Sequence, residues 1–177
     1  MTAKTIKNSL VKYSIRIKLP DDLARMILSW GDENIGEDLL CNNPDDLAFG
    51  REDEPHITLL YHLADNDPKP VESVMAGLKP FEVTLGKTSL FTTNDFFDVL
   101  KIDVSGEGLY RANRLLTAGM VPPRQYPQYV PHITLAYLTK GAGSGLSGVG
   151  VFDGHRFTAE HLCFSCRAGN KTNIKWG

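Results

Sequence analysis

The sequence predicts an α+β fold of two pseudo-symmetric lobes around a central cleft, each lobe a small, mainly antiparallel sheet backed by helices. Three observations lead to this. A seven-residue phrase occurs twice, PHITLLY at positions 55–61 and PHITLAY at 131–137. Each occurrence follows a strand pattern and then a helix pattern, so the chain reads as a rough duplication with repeats at about 11–63 and 97–139. Neither repeat is large enough to bury its own apolar face, so the copies are expected to pack side by side in one domain spanning residues 1–177.

The elements follow in order. Residues 11–19 alternate, with Tyr13, Ile15, Ile17 and Leu19 on one face and Lys12, Ser14, Arg16 and Lys18 on the other, as a half-buried strand does. After Pro20 the period changes: Leu23, Met26, Ile27 and Trp30 fall at helical spacing, Asp21 and Asp22 suit a helix N-terminus, and Gly31 is the expected stop. A polar, irregular segment at 36–55 leads into the first PHIT strand. Val71, Val74, Met75 and Leu78 mark a second amphipathic helix, and Phe81, Val83 and Leu85 alternate as a strand. At 100–104 the opening theme returns, LKIDV against IRIKL, followed by a helix with Leu109, Ala112, Leu115 and Leu116 inward and then the second PHIT strand. The glycine-rich run KGAGSGLSGVG at 140–150 reads as a mobile loop, with strands expected at 161–166 and 172–176.

Composition excludes several functions. With 42% hydrophobic residues in 177 the chain has material for a sizeable core, so disorder is not expected. A net charge of −2 provides no global basic field, which disfavours long duplex nucleic acid as a partner. No run of about 18 apolar residues and no signal-peptide pattern occurs, so a cytoplasmic protein without a membrane partner is expected. The odd cysteine count (Cys41, Cys163, Cys166) suits free thiols in a reducing compartment. Cys163 and Cys166 would point to opposite faces of a strand and lack a second ligand pair, so no metal site is expected.

The chemistry is carried by the repeated phrase. Strand alternation puts Ile57, Leu59 and Tyr61 on the core face and His56 and Thr58 on the other; Ile133, Leu135 and Tyr137 against His132 and Thr134 repeat the arrangement. Two imidazoles facing one cleft can serve as general base and general acid, and two threonine hydroxyls can donate to phosphate oxygens. That set suits in-line cleavage of a phosphodiester with no metal or cofactor, and leaves open which histidine is the base. Arg16 and Lys101 occupy matching places on the two opening strands, and Arg51 and Arg124 precede the two PHIT strands. These four are candidate cations for a phosphate.

The motifs His56-Ile57-Thr58-Leu59 and His132-Ile133-Thr134-Leu135 resemble those of the 2H phosphoesterase superfamily, over roughly residues 12–166, and PFEVTLGKTSLF at 80–91 resembles that family's middle segment. Within it, GREDEPHITLLY at 50–61 is similar to the phage anti-CBASS phosphodiesterases, which destroy the cyclic oligonucleotide messengers of a bacterial immune pathway. The resemblance implies metal-independent cleavage of 3′-5′ bonds in cyclic di- or trinucleotides, catalysed by His56, Thr58, His132 and Thr134. It implies immune evasion and a host-cytoplasmic location if the chain is phage-encoded. It also implies aromatic residues that sandwich bases, for which Tyr13 and Trp176 are the nearest positions. The alternatives are an enzyme acting on short RNA ends, as a 2′,3′-cyclic phosphodiesterase or 2′-5′ RNA ligase, and a non-catalytic nucleotide-binding module.

Overall fold

In the computed structural model, which describes residues 13–42, 49–63, 67–120, 128–166 and 171–175, the alternating opening segment forms β1 (Tyr13–Lys18) and turns at Pro20 into α1 (Asp21–Asn34). The carbonyl of Pro20 accepts the first helical bond from the Ala24 N–H at 2.9 Å. Leu23, Ile27 and Gly31 form the buried stripe. Gly31 therefore does not stop the helix. Ile35 does so with an extended backbone, its N–H bonded to the Gly31 carbonyl at 3.0 Å. The propensity cost of a mid-helix glycine is about 1 kcal/mol against alanine, and packing overrides it here.

The chain continues through β2 (His56–Leu63), α2 (Lys69–Met75), β3 (Phe81–Phe91), β4 (Phe97–Ser105), α3 (Glu107–Gly119), β5 (His132–Thr139), β6 (Arg156–Ala159), β7 (His161–Cys166) and β8 (Lys171–Lys175). All eight strands join one sheet of order β6-β3-β4-β5-β2-β1-β7-β8, and every neighbouring pair is antiparallel. The two expected small sheets are thus four-strand halves of a single sheet. They meet at β2 and β5, whose ladder shows one pair, Ile57 opposite Ile133.

One face of the sheet is the core. Ile15, Ile17, Ile57, Ile102 and Ile133 are fully buried there with Ile27 of α1 and Leu109, Ala112 and Leu116 of α3. Each such isoleucine contributes roughly 1.5–3 kcal/mol through burial. Helix α1 leans on β5 while α3 leans on β2 and β3, so the helix of each half lies under the motif strand of the other. This crossing holds the halves together where the ladder is thinnest. Leu115, expected inward, is 36% exposed: Leu109, Ala112 and Leu116 complete the apolar stripe and Leu115 falls at its edge.

The glycine-rich run, expected to be a mobile loop, is hydrogen-bonded to the sheet. The buried Thr88 hydroxyl donates to the Leu146 carbonyl at 2.6 Å and accepts the Val149 N–H at 2.9 Å, while the Thr88 backbone bonds Val149 and Gly148. The glycines answer geometric demands: Gly148 has φ +84°, and a Cβ on Gly143 would meet Leu138 at 2.7 Å. Among the described residues no helix is long and apolar enough to cross a membrane.

Candidate active site

Antiparallel pairing of Ile57 with Ile133 places His56 across from Thr134 and Thr58 across from His132 when the register is carried one residue each way. The four side chains share the face opposite the core, and all are half-buried. The flanking strands repeat the match. On β1, Arg16 lies opposite Thr58 and Lys18 opposite His56; on β4, Lys101 lies opposite Thr134 and Asp103 opposite His132. Arg16 and Lys101 are therefore equivalent in position, as their sequence places them, and both share the face of the His/Thr set.

The tyrosines of the repeated phrase are not core residues. Thr58 pairs with Arg16 and Leu60 with Ile15, so Leu59 is an extra residue in β2; Thr134 pairs with Lys101 and Ala136 with Leu100, so Leu135 is its counterpart in β5. A bulge at the same place in both copies buries two successive residues and reverses the alternation. Tyr61 then lies opposite Ser14 and Tyr137 opposite Val99, on the same face as the histidines. Tyr137 packs with Phe49 and Phe97 at ring distances of 5.1 and 5.5 Å.

Both imidazoles are held alike. His56 Nδ1 lies 2.7 Å from the Glu54 carbonyl and His132 Nδ1 lies 2.7 Å from the Val130 carbonyl. A carbonyl only accepts, so Nδ1 carries the proton and Nε2 is the nitrogen left for another partner. Glu52 supports the first turn by accepting the Glu54 N–H at 3.1 Å, and burial pushes its own carboxyl above the usual range. Burial, helped by the Arg16 guanidinium, pushes His56 down from 6.5 to about 4. His132 is also lowered by burial, with Lys101 adding to the shift and Asp103 opposing it. Both rings are therefore neutral near pH 7.

The two halves differ around this common frame. On the His132 side, Lys101 Nζ bonds Ser89 Oγ at 2.6 Å and Asp103 Oδ1, and sits 4.4 Å from the Phe91 ring centroid. Phe91 in turn meets the His132 ring edge-on at 4.9 Å. Burial works against ionising Asp103, but its bonds to Lys101 and Ser89 prevail and lower its carboxyl. On the His56 side a cleft of about 260 Å³ opens between Arg16, Lys18, Glu54, Ser165, Lys171 and Asn173. Lys18, Glu54, Lys171, Asp103, Ser89 and Phe91 were not singled out from sequence. Strand register brings most of them in, and alternation alone would have put Ser89 and Phe91 on the core face, because an irregularity between Leu85 and Thr88 reverses the parity of β3.

Other sequence-predicted binding residues fall elsewhere. Tyr13 has the parity of Ile15 and Ile17, stacks on Phe164 at 5.2 Å and packs on the core, not on the cleft face. Arg51 serves the end of α1: its guanidinium donates to the Ile35 carbonyl and to Glu37 at 2.9 Å and pairs with Asp32 at 3.5 Å. A helix C-terminus with orphan carbonyls attracts such a cation. Arg124 and Trp176 lie outside the described residues. Cys41 and Cys163 are free thiols. Among the described residues no group of three or more His, Cys, Asp or Glu is placed to hold a metal ion.

A family model for the 2′-5′ RNA ligase superfamily matches residues 42–168, a stretch that contains both His-x-Thr motifs. The chain belongs to the 2′-5′ RNA ligase superfamily. This is the grouping of the 2H phosphoesterases, so the protein is an enzyme of the phosphodiesterase type. Among curated proteins no sequence matches it. Solved structures share the superfamily fold. TT0787 of Thermus thermophilus has a TM-score of 0.65 at 17% identity, over 92% of this chain and 97% of that one. LigT of E. coli complexed with 3′-AMP has 0.57 at 17% identity, over 94% and 95%. Usb1 of Kluyveromyces marxianus with uridine monophosphate has 0.54 at 11% identity, over 95% and 99%.

Proposed function

We propose that this enzyme cleaves 3′-5′ ribonucleotide phosphodiesters without a metal, using His56 and His132 as the proton-transfer pair and Thr58 and Thr134 as donors to the non-bridging oxygens. The observation that carries this reading is the crosswise placement of the two His/Thr pairs about Ile57 and Ile133, with both Nδ1 atoms tied back to carbonyls. The neighbouring ribose 2′-hydroxyl attacks phosphorus; one Nε2 takes its proton as the 2′-O–P bond forms. Both rings rest neutral in the free protein, and the negative charge of the bound phosphate draws a proton onto Nε2 of the other imidazole, which gives it to the departing 5′-oxygen as the P–O bond breaks. No water is consumed in this step, and the product carries a 2′,3′-cyclic phosphate. Preorganised donors at the developing charge supply the remaining stabilisation.

For the substrate we propose a cyclic di- or trinucleotide messenger, as the similarity of residues 50–61 to the anti-CBASS enzymes suggests. A second reading, cleavage at RNA ends, is favoured by the superfamily match and by the fold neighbours solved with 3′-AMP and uridine monophosphate. A chromatographic screen of purified protein with cyclic di- and trinucleotides, 2′,3′-cyclic nucleotides and 2′-5′-linked oligomers separates the readings. The nucleophile is tested with the preferred substrate lacking the 2′-hydroxyl beside the scissile phosphate. It is expected to bind and resist cleavage, and cleavage at an undiminished rate rejects the 2′-hydroxyl route.

A further inference from the structure

We infer that the cleft between β1, β7 and β8, beside His56, is a subsite for a second phosphate group of the substrate. This deepens the phosphodiesterase reading and rests on it for the position of the first phosphate at the His/Thr set. The lining fits an anion. Three cations, Arg16, Lys18 and Lys171, face a single carboxylate, Glu54, and the Ser165 hydroxyl and Asn173 amide add neutral donors. About 260 Å³ is room for a phosphate with part of its sugar, not for a long polymer.

The internal ion pairs show how the site is held between ligands. Lys171 starts on β8, three strands from β2, yet its ammonium reaches back to both carboxylate oxygens of Glu54, at 2.6 and 2.7 Å. Arg16 lies 3.9 Å from the same carboxylate and is steered by a 2.7 Å bond to Ser14 Oγ. Glu54 thus stands where a ligand oxyanion would, drawing two cations over the cleft from opposite sides. Lys18 pairs with the exposed Asp21, at 3.1 Å, an interaction worth little in water and easily exchanged. Among the described residues the matching place in the other half offers no equivalent: the Lys101 ammonium is engaged by Asp103 and Ser89 and lies against Phe91. The second phosphate is therefore taken on the His56 side, which fixes the direction in which a nucleotide lies across the cleft.

The test is calorimetric titration with adenosine 3′-monophosphate and adenosine 3′,5′-bisphosphate, which differ by the one group in question. The bisphosphate is expected to bind at least about tenfold more tightly, with the preference weakening as salt rises. Lys171→Gln and Lys18→Gln are each expected to remove much of that preference while leaving monophosphate affinity unchanged. Glu54→Gln is expected to strengthen it by releasing Lys171, and these opposite signs distinguish a phosphate subsite from general surface charge. Equal affinity for the two ligands, or a preference untouched by both lysine variants, overturns the proposal. Equal affinity alongside phosphodiester turnover rejects the subsite alone, whereas a bisphosphate preference without any turnover rejects the phosphodiesterase mechanism and keeps the subsite.

Discussion

Replacing His56 with Asn removes a titrating group while leaving a side-chain donor near the Glu54 carbonyl, and the structure sets the size of the effect. In the folded protein His56 is held at about 4, chiefly by burial and by Arg16, whereas in the unfolded chain it returns to about 6.5. Between those values the unfolded chain binds a proton that the native state refuses, so lowering the pH favours unfolding. At about 1.4 kcal/mol per pH unit, and discounted for the solvent that reaches a half-buried ring, His56 alone costs the native state about 2 to 3 kcal/mol between pH 6.5 and 4. The variant escapes this loss. Urea unfolding at pH 7, 6, 5 and 4, followed through the fluorescence of Trp30 against Phe152, is expected to show the variant gaining on the wild type by that amount. His132 and the carboxylates titrate in both proteins and largely cancel in the difference. A gap that stays within about 0.5 kcal/mol across the whole range refutes the assignment of a buried, neutral His56.

Steady-state kinetics provides the mechanistic tests. His56→Ala and His132→Ala are each expected to lower kcat about 100- to 10,000-fold with the fold intact by circular dichroism, and near-normal turnover removes that residue from the chemistry. Under the proposed mechanism the two share one proton-transfer cycle, so the double variant is expected to lose much less than the product of the single losses, and a fully multiplicative loss contradicts their coupling. Turnover is expected to survive excess EDTA; loss that added zinc or magnesium restores points to a metal-dependent phosphatase. Thr88→Val leaves Leu146 O and Val149 N–H without their hydroxyl partner, so a loss of about 1 to 3 kcal/mol and faster exchange of the Val149 amide are expected, whereas unchanged exchange shows that the loop is not fixed by Thr88.

Local alternation was enough to reveal seven of the eight strands, the helices and the two His/Thr pairs, because each depends on neighbours in sequence; the short β6 was not read from it. The equivalence of Arg16 and Lys101 was legible for the same reason. Tyr61 and Tyr137 were misplaced because a bulged leucine in each copy reverses the parity of the residues just after it, and nothing in the letters of PHITLLY marks Leu59 as the extra residue. Arg51 looked like a phosphate ligand because its partners, the end of α1 and Glu37, are brought to it only by tertiary folding. The glycine run suggested mobility by composition, yet it is tied down by Thr88 and by Asp98, each more than forty residues earlier. Lys171 was invisible for a similar reason: its relation to Glu54 exists only once β8 has joined the sheet beyond β7.

The meeting of β2 and β5 at Ile57 and Ile133 is also a statement about symmetry. Phosphorus passing through five-coordination has two apical oxygens, one arriving and one departing, and two non-bridging equatorial oxygens. When the 2′-hydroxyl attacks, a local twofold axis along the remaining P–O3′ bond exchanges both pairs. An antiparallel junction of two like strands carries the same operation, exchanging His56 with His132 and Thr58 with Thr134. On the proposed mechanism such a site presents the same face to the forward and the reverse reaction, so the choice of which imidazole begins as base is left to the groups that break the symmetry. Those groups include Lys18 opposite His56 and Asp103 opposite His132 on the strands alongside.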